Sequence, residues 1–125
     1  MIDFESHSVI KLSAADFSVV EPLVVPLYVE GEQTLSAAKG IRDFVVFTDR
    51  RLICVNVQGL SGKKKDFTSL PYSKIQSWSI ESAGHFDRDS ELELWFSGLG
   101  KVHLEFSGKF DLGYIGKLIS WAVLK

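Results

Sequence analysis

Apolar and polar residues alternate along most of residues 34–106, which is the period expected of β-strands. The runs end at glycine, proline or polar turn residues, and no helical period interrupts residues 42–84. The alternation predicts strands over residues 34–39, 43–48, 51–58, 64–70, 74–81, 91–96 and 101–106. Strands of this length and spacing predict a small antiparallel sheet that curls on itself.

The predicted hairpin of residues 43–58 is apolar on both faces. A two-residue turn would place Phe47 opposite Leu52 and Val45 opposite Cys54 on one face. The other face carries Phe44, Val46, Ile53, Val55 and Val57. An antiparallel sheet in a single domain normally leaves one face in water. The second face therefore needs a cover, either the chain's own N-terminal helix, which we favour, or another chain.

Helices are predicted on either side of the strands. Ser13 followed by Asp16 resembles a capping box and predicts a helix over 14–21, after a loose or edge segment of residues 1–12. Asp111 is a good N-cap, and the apolar residues after it repeat at helical spacing. A second helix over 111–124 should then pack over one opening of the sheet.

The last predicted hairpin carries a polar outer face with one aromatic residue. A three-residue loop with glycine at each end would place Trp95 opposite His103 and Glu93 opposite Glu105. The second pair is unfavourable for this register, because two carboxylates would face each other. Lys101 lies on the same face. Tryptophan is favoured at the centres of interaction surfaces, so these residues are candidates for an oligomer or partner interface.

Composition restricts the class of function. Lysine and arginine number 14 against 16 acidic residues, for a net charge of −2, which argues against a general nucleic-acid binder. The single cysteine, Cys54, excludes an intrachain disulfide and suits a reducing compartment. We see no signal-peptide pattern and no apolar run near the ~18 residues of a membrane span, so we expect a cytoplasmic protein.

Basic residues cluster near two predicted turns. If both turns lie at one end of the sheet, Arg50 and Arg51 would form a basic rim with Lys63, Lys64 and Lys65. Such a rim would suit an anionic membrane surface. The alternative, which we favour, is that the lysines protect a strand edge against unwanted pairing. The glycine-lysine spacing does not fit a nucleotide-binding loop.

Metal, cofactor and catalytic signals are weak. The three histidines lie far apart in sequence without a cysteine cluster, so we expect no metal site. Asp87, Asp89 and Glu91 alternate like oxygen ligands but lack the glycine and terminal glutamate of a calcium-binding loop, which favours a solvated polar loop. No serine sits in a nucleophile elbow, and we expect neither a cofactor nor enzyme activity.

Several runs along the chain resemble the bacterial pleckstrin-homology family over about residues 20–124. They are VEGE (29–32), RDFVVFTDRRLI (42–53), QGLSGKKKDF (58–67), LPYSKI (70–75) and SIESAGHFDRDSELELW (79–95). The resemblance implies a mainly β (α+β) fold, a pleckstrin-homology-like barrel of about seven antiparallel strands closed by a C-terminal helix, with a short N-terminal helix. It also implies one cytoplasmic domain over 1–125, assembly into a ring of about five subunits and a protein-interaction role. It implies no catalytic residue.

Three functions remain open at this point. We favour a non-enzymatic, self-assembling module that mediates protein–protein interaction with an unknown partner. The second is a binder of anionic membrane or lipid headgroups, although the loop 40–42, where lipid-binding relatives carry several basic residues, holds a single arginine. The third is a carrier of a small apolar ligand. Against it, the inward side chains of Trp78, Leu94, Phe96 and Phe106 should fill the barrel.

Overall fold

The computed structural model describes residues 1–5, 9–82, 84 and 89–124, with the backbone alone at residue 10. Its helices and strands are β1 (Val9–Ala14), α1 (Phe17–Val24), β2 (Thr34–Lys39), β3 (Asp43–Thr48), β4 (Arg51–Gln58), β5 (Lys64–Pro71), β6 (Ile75–Ser82), β7 (Ser90–Phe96), β8 (Gly100–Phe106) and α2 (Leu112–Val123). The described residues form one eight-stranded sheet in the order β5-β4-β3-β2-β1-β8-β7-β6. The seven strands predicted from alternation are confirmed, and their ends differ by at most one residue.

The N-terminal segment is the main correction to the predicted fold. The sequence predicts a loose or edge segment over residues 1–12, but β1 lies in the interior of the sheet order, antiparallel to β2 and parallel to β8. Val9 and Leu12 are fully buried. Lys11 has a positive φ of 56°, and the pairing with β8 shifts register between Val9 and Leu12. This bulge interrupts the alternation of apolar residues, which hides the strand in the sequence.

Helix α1 begins later than the capping-box pattern predicted. Ser13 belongs to β1 and pairs with Lys39, so it cannot cap a helix. Asp16 is the N-cap, and its carboxylate accepts a hydrogen bond from the Ser18 amide at 2.9 Å. The helix contains Pro22 and continues after Val24 as a single 3₁₀ turn.

Helix α1 covers the second apolar face of the β3–β4 hairpin. The predicted register of this hairpin is confirmed, and its outer apolar residues pack against α1. The buried cluster between them consists of Val20, Val24, Ala37, Val46, Ile53 and Val55. The chain therefore covers this face itself, as we favoured.

The opposite face of the same hairpin lines the interior of the curled sheet. Phe47 is fully buried, and its ring centroid lies 6.5 Å from that of Phe106 and 6.3 Å from that of Phe110. The rings of Phe106 and Phe110 stack on each other, with their centroids 4.4 Å apart. Cys54 points into the same core, and burial raises the pKa of its thiol to about 12, as expected for an unreactive cysteine.

Helix α2 closes the interior. Its N-cap, Asp111, accepts a hydrogen bond from the Tyr114 amide at 3.0 Å, and Ile115 and Ile119 are fully buried. A Cβ at Gly116 would lie 2.6 Å from the Cδ1 atom of Ile80, so the helix rests very close to β6. Among the described residues, no helix is long and apolar enough to cross a membrane.

Candidate interaction face

The β7–β8 hairpin has a different register from the predicted one. Trp95 lies opposite Lys101, Glu93 opposite His103, and Glu91 opposite Glu105. The loop still has three residues, but they are 97–99 rather than 98–100, because Phe96 pairs with Gly100. A shift of two residues leaves every side chain on its predicted face, so the polar outer face exists while its predicted pairs are wrong.

Trp95 is the large aromatic residue of this outer face. Its side chain is 46% exposed, with Lys101 beside it on β8 and Ser77 beside it on β6. The Lys101 ammonium lies 3.7 Å from the carboxylate of Glu93. A shallow cavity of about 330 Å³ next to the ring is lined by these residues together with Trp78, Ser79 and Leu94. The arrangement is an aromatic anchor among charged and hydroxyl groups.

His103 lies among three carboxylates on the same face. Its Nδ1 atom is 3.0 Å from Glu93 Oε2, and its Nε2 atom is 3.4 Å from Glu91 Oε1 and 3.5 Å from Glu105 Oε1. Partial burial opposes protonation, but hydrogen bonds with Glu93 and Glu105 and the charge of Glu91 outweigh it and raise the pKa of His103. The pKa of Glu91 is also raised, chiefly by its hydrogen bond with Glu105.

The predicted polar loop is not assembled as one site in the described residues. Asp87 lies outside them. Asp89 precedes β7, and its carboxylate accepts a hydrogen bond from the Gly108 amide at 3.0 Å, which ties the start of β7 to the chain after β8. Glu91 belongs to β7 and to the cluster around His103 instead.

The predicted basic rim does not form. Arg50 and Arg51 lie at one end of β4, and the lysines 63–65 follow its other end. A strand of eight residues is roughly 25 Å long, so the two groups are far apart. Consecutive hairpin turns of an antiparallel meander alternate between the two ends of the sheet. The β3–β4 turn and the β4–β5 turn therefore lie at opposite ends, whereas the predicted rim required both at the same end.

Arg51 holds a buried carboxylate instead of facing a ligand. Its Nε and Nη2 atoms each donate to the carboxylate of Glu32 at 2.9 Å, and the Glu32 side chain is only 1% exposed. The Thr48 hydroxyl donates to the same carboxylate at 2.8 Å, and Arg51 also donates to the Leu27 carbonyl at 2.8 Å. Burial opposes ionisation of Glu32, but the bonds from Arg51 and Thr48 prevail and lower its pKa.

Two exposed aliphatic residues lie at the lysine-bearing end of the sheet. Ile41, in the β2–β3 loop, is 93% exposed, and Leu60, in the β4–β5 turn, is fully exposed. The loops are tied together because Arg42 donates to the Gly59 carbonyl at 3.0 Å. Sequence reasoning missed this pair of tips because isolated apolar residues in turns carry no periodic signal.

Comparisons with known proteins agree with the fold. The family model described as "Bacterial PH domain" matches residues 3–123. The uncharacterized protein YjqA of Bacillus subtilis (strain 168) is 46% identical over 86 residues, which cover 69% of this chain and 69% of that protein. A crystal structure of a duf1696 family protein with a pleckstrin-homology domain from Shewanella loihica PV-4 has a TM-score of 0.76 and 34% identity, covering 90% of this chain and 97% of that one. The crystal structure of the pleckstrin homology domain from Shewanella amazonensis SB2B has a TM-score of 0.65 and 36% identity. The match covers 89% of this chain and 90% of that one.

Proposed function

The chain belongs to the bacterial PH domain family, and we propose that it acts without catalysis, as a module that assembles with copies of itself and presents the assembled surface to a protein partner. The observation that carries this proposal is Trp95, half-exposed on a face otherwise made of charged and hydroxyl side chains. Exposed tryptophans with a polar surround are the residues that dominate binding energy at interfaces.

The open edges of the sheet support assembly. Strands β5 and β6 are the two ends of the strand order and are not hydrogen-bonded to each other in the described part of the chain. Edge strand β6, next to the strand of Trp95, contains neither lysine nor proline, the residues that usually block pairing of edges. Strand β5 begins with Lys64 and Lys65.

The two ends also differ in charge, as a head-to-tail contact requires. The outer face of β6, β7 and β8 carries glutamates at 81, 91, 93 and 105, whereas β5 begins with lysines. A ring needs two different complementary surfaces on each subunit, and opposite charges would set their register. We therefore place one surface at Trp95 and the β6 edge, and the other along β5, in a cytoplasmic ring of about five subunits.

Trp95→Ala tests this proposal. It should weaken assembly by about 2 kcal/mol or more per contact while the subunit stays folded, because it removes the anchor and leaves the core intact. Light scattering after size-exclusion chromatography measures the mass, and circular dichroism checks the fold. The matched control is Trp121→Ala, since Trp121 is 64% exposed on α2 and lies outside the proposed surface.

Two results would count against the proposal. A wild-type protein that remains monomeric at tens of micromolar, well above the Kd expected of a specific assembly, would refute self-assembly. An assembly that survives Trp95→Ala but dissociates in Trp121→Ala would move the interface to α2.

A second candidate function rests on the apolar tips of Ile41 and Leu60. Both side chains project into solvent at the end of the sheet that also holds Arg42, Lys63 and Lys64. Aliphatic tips flanked by cations suit a surface with anionic headgroups above an apolar layer. The observation favours peripheral binding to an anionic membrane at this end, away from Trp95.

Co-sedimentation with phosphatidylserine vesicles at low salt tests the second candidate. The Leu60→Asp variant should reduce binding at least about tenfold, because it removes apolar burial and adds repulsion from the headgroups. Leu124→Asp is the control, since Leu124 is also exposed but follows α2. Absence of wild-type binding, or equal binding to neutral phosphatidylcholine vesicles, contradicts a role for the cationic tip.

A further inference from the structure

We propose that Glu91, His103 and Glu105 form a binding site for a divalent transition-metal ion such as Zn²⁺. One ligand atom from each residue lies within 4.8 Å of the other two. The site shares Glu91 and Glu105 with the face proposed for assembly, but it goes beyond that function because all three ligands belong to one subunit.

The distances around the imidazole suit a shared ion. His103 Nε2 lies 3.4 Å from Glu91 Oε1 and 3.5 Å from Glu105 Oε1. Charge-assisted N–H···O bonds are about 2.7–2.9 Å long, so neither contact is a strong hydrogen bond. Two ligands of a tetrahedral ion with bonds of about 2.0–2.1 Å are separated by about 3.3 Å, close to both observed distances.

Glu93 orients the histidine for this role. Its Oε2 atom lies 3.0 Å from His103 Nδ1, and a carboxylate can only accept, so Nδ1 carries the proton. In the neutral imidazole, Nε2 then holds the lone pair and faces the other two carboxylates. A carboxylate bound to the distant nitrogen of a ligating histidine is the usual support of metal centres.

The neighbouring carboxylates on this face of the sheet also favour the binding of a cation. Glu81 on β6, Glu91 on β7 and Glu105 on β8 are directly paired neighbours in a row across three strands. Like charges that face each other on a sheet are destabilising. Lys101 contacts Glu93 and not the three glutamates of this row. Lys11 of β1 lines a cavity next to the row.

That cavity provides space for the remaining ligands of the ion. It has a volume of about 410 Å³ and is lined by Glu91 and Glu105 as well as by Ser90.

The donor set selects the kind of ion. One imidazole and two carboxylates suit Zn²⁺, Co²⁺ and related ions, whereas Ca²⁺ requires six to eight oxygen ligands and Mg²⁺ a nearly ideal oxygen octahedron. Three protein ligands leave a fourth position for water.

Metal titration of the full chain, free of any histidine tag and stripped with a chelator, tests the site. Calorimetry with Zn²⁺ should show one equivalent bound, and Co²⁺ should give the visible absorption of tetrahedral coordination. Glu93→Gln, which removes only the orienting carboxylate, should weaken binding about 10–100-fold, and His103→Gln at least as much. Glu30→Gln is the control, because Glu30 is an exposed carboxylate in the loop before β2, and it should bind like wild type.

Three results would overturn the site. The first is no binding of Zn²⁺ by the wild type at about 1 mM, the weakest specific affinity of interest. The second is unchanged affinity in both His103→Gln and Glu93→Gln, which would place the ion elsewhere. The third is an equal loss in Glu30→Gln, which would indicate diffuse attraction to negative charge. All three variants replace exposed or partly exposed side chains, so circular dichroism should show the wild-type fold.

Discussion

Replacing Arg51 with methionine should lower the free energy of unfolding by about 3–5 kcal/mol. The change removes both hydrogen bonds from the guanidinium to Glu32 and leaves that carboxylate buried without a counter-ion. Methionine keeps most of the aliphatic stem, so the lost packing is small. Urea or guanidinium denaturation followed by circular dichroism measures the effect.

Arg50→Met provides the matched control. Arg50 is the neighbouring residue of the same turn, but its side chain is more than half exposed and its nearest carboxylate is 3.9 Å away. Exposed ion pairs contribute little, so the control should differ from wild type by no more than about 0.5 kcal/mol. Equal effects of the two substitutions would show that the Glu32–Arg51 pair has no special role in stability.

Phe47→Ala should destabilise the fold by about 3–5 kcal/mol. The ring is fully buried inside the curled sheet, against the stacked rings of Phe106 and Phe110, so truncation leaves a cavity that rigid strands cannot collapse. Chemical denaturation with an unchanged m-value would attribute the loss to stability rather than to a different unfolded state.

Phe67→Ala distinguishes this core effect from a general cost of losing an aromatic ring. Phe67 lies on β5 and is partly exposed, so its removal should cost much less. The Phe47→Ala variant also addresses the ligand-carrier hypothesis, because a dry engineered cavity can bind benzene. Binding of benzene by the wild type as tightly as by Phe47→Ala would show that the interior is not filled.

The fold was largely predictable because strand alternation is a local property. The register of the β3–β4 hairpin followed from a two-residue turn, which permits one pairing. In β7–β8, a three-residue loop could be placed at 97–99 or at 98–100 without changing the faces, so the sequence did not decide between them. Strand β1 was missed because its bulge at Lys11 breaks the alternation and its partner, β8, is distant in sequence.

The candidate site was predictable in its side-chain types but not in its partnerships. Trp95 and His103 were assigned to one face, yet the convergence of Glu91, Glu93 and Glu105 on the imidazole depends on the exact pairing of the strands. The sequence indicates a surface cation at Arg51 because its partner, Glu32, lies in a loop without a periodic pattern. Buried ion pairs between a loop and a strand leave no signal in hydropathy.

Strand β1 has a consequence for how the chain folds. The strands β2 to β5 form one antiparallel meander and β6 to β8 another, each built from hairpins between consecutive strands, and β1 lies between the two in the sheet order. Its pairing of Leu12 with Phe106 joins positions near opposite ends of the chain, the kind of distant contact that slows folding through the entropy of closing a long loop. The two meanders can form locally and early, whereas the seam between them closes only after β8 has been synthesised. We therefore expect the pairing of β1 with β8 to be among the last strand pairings to form.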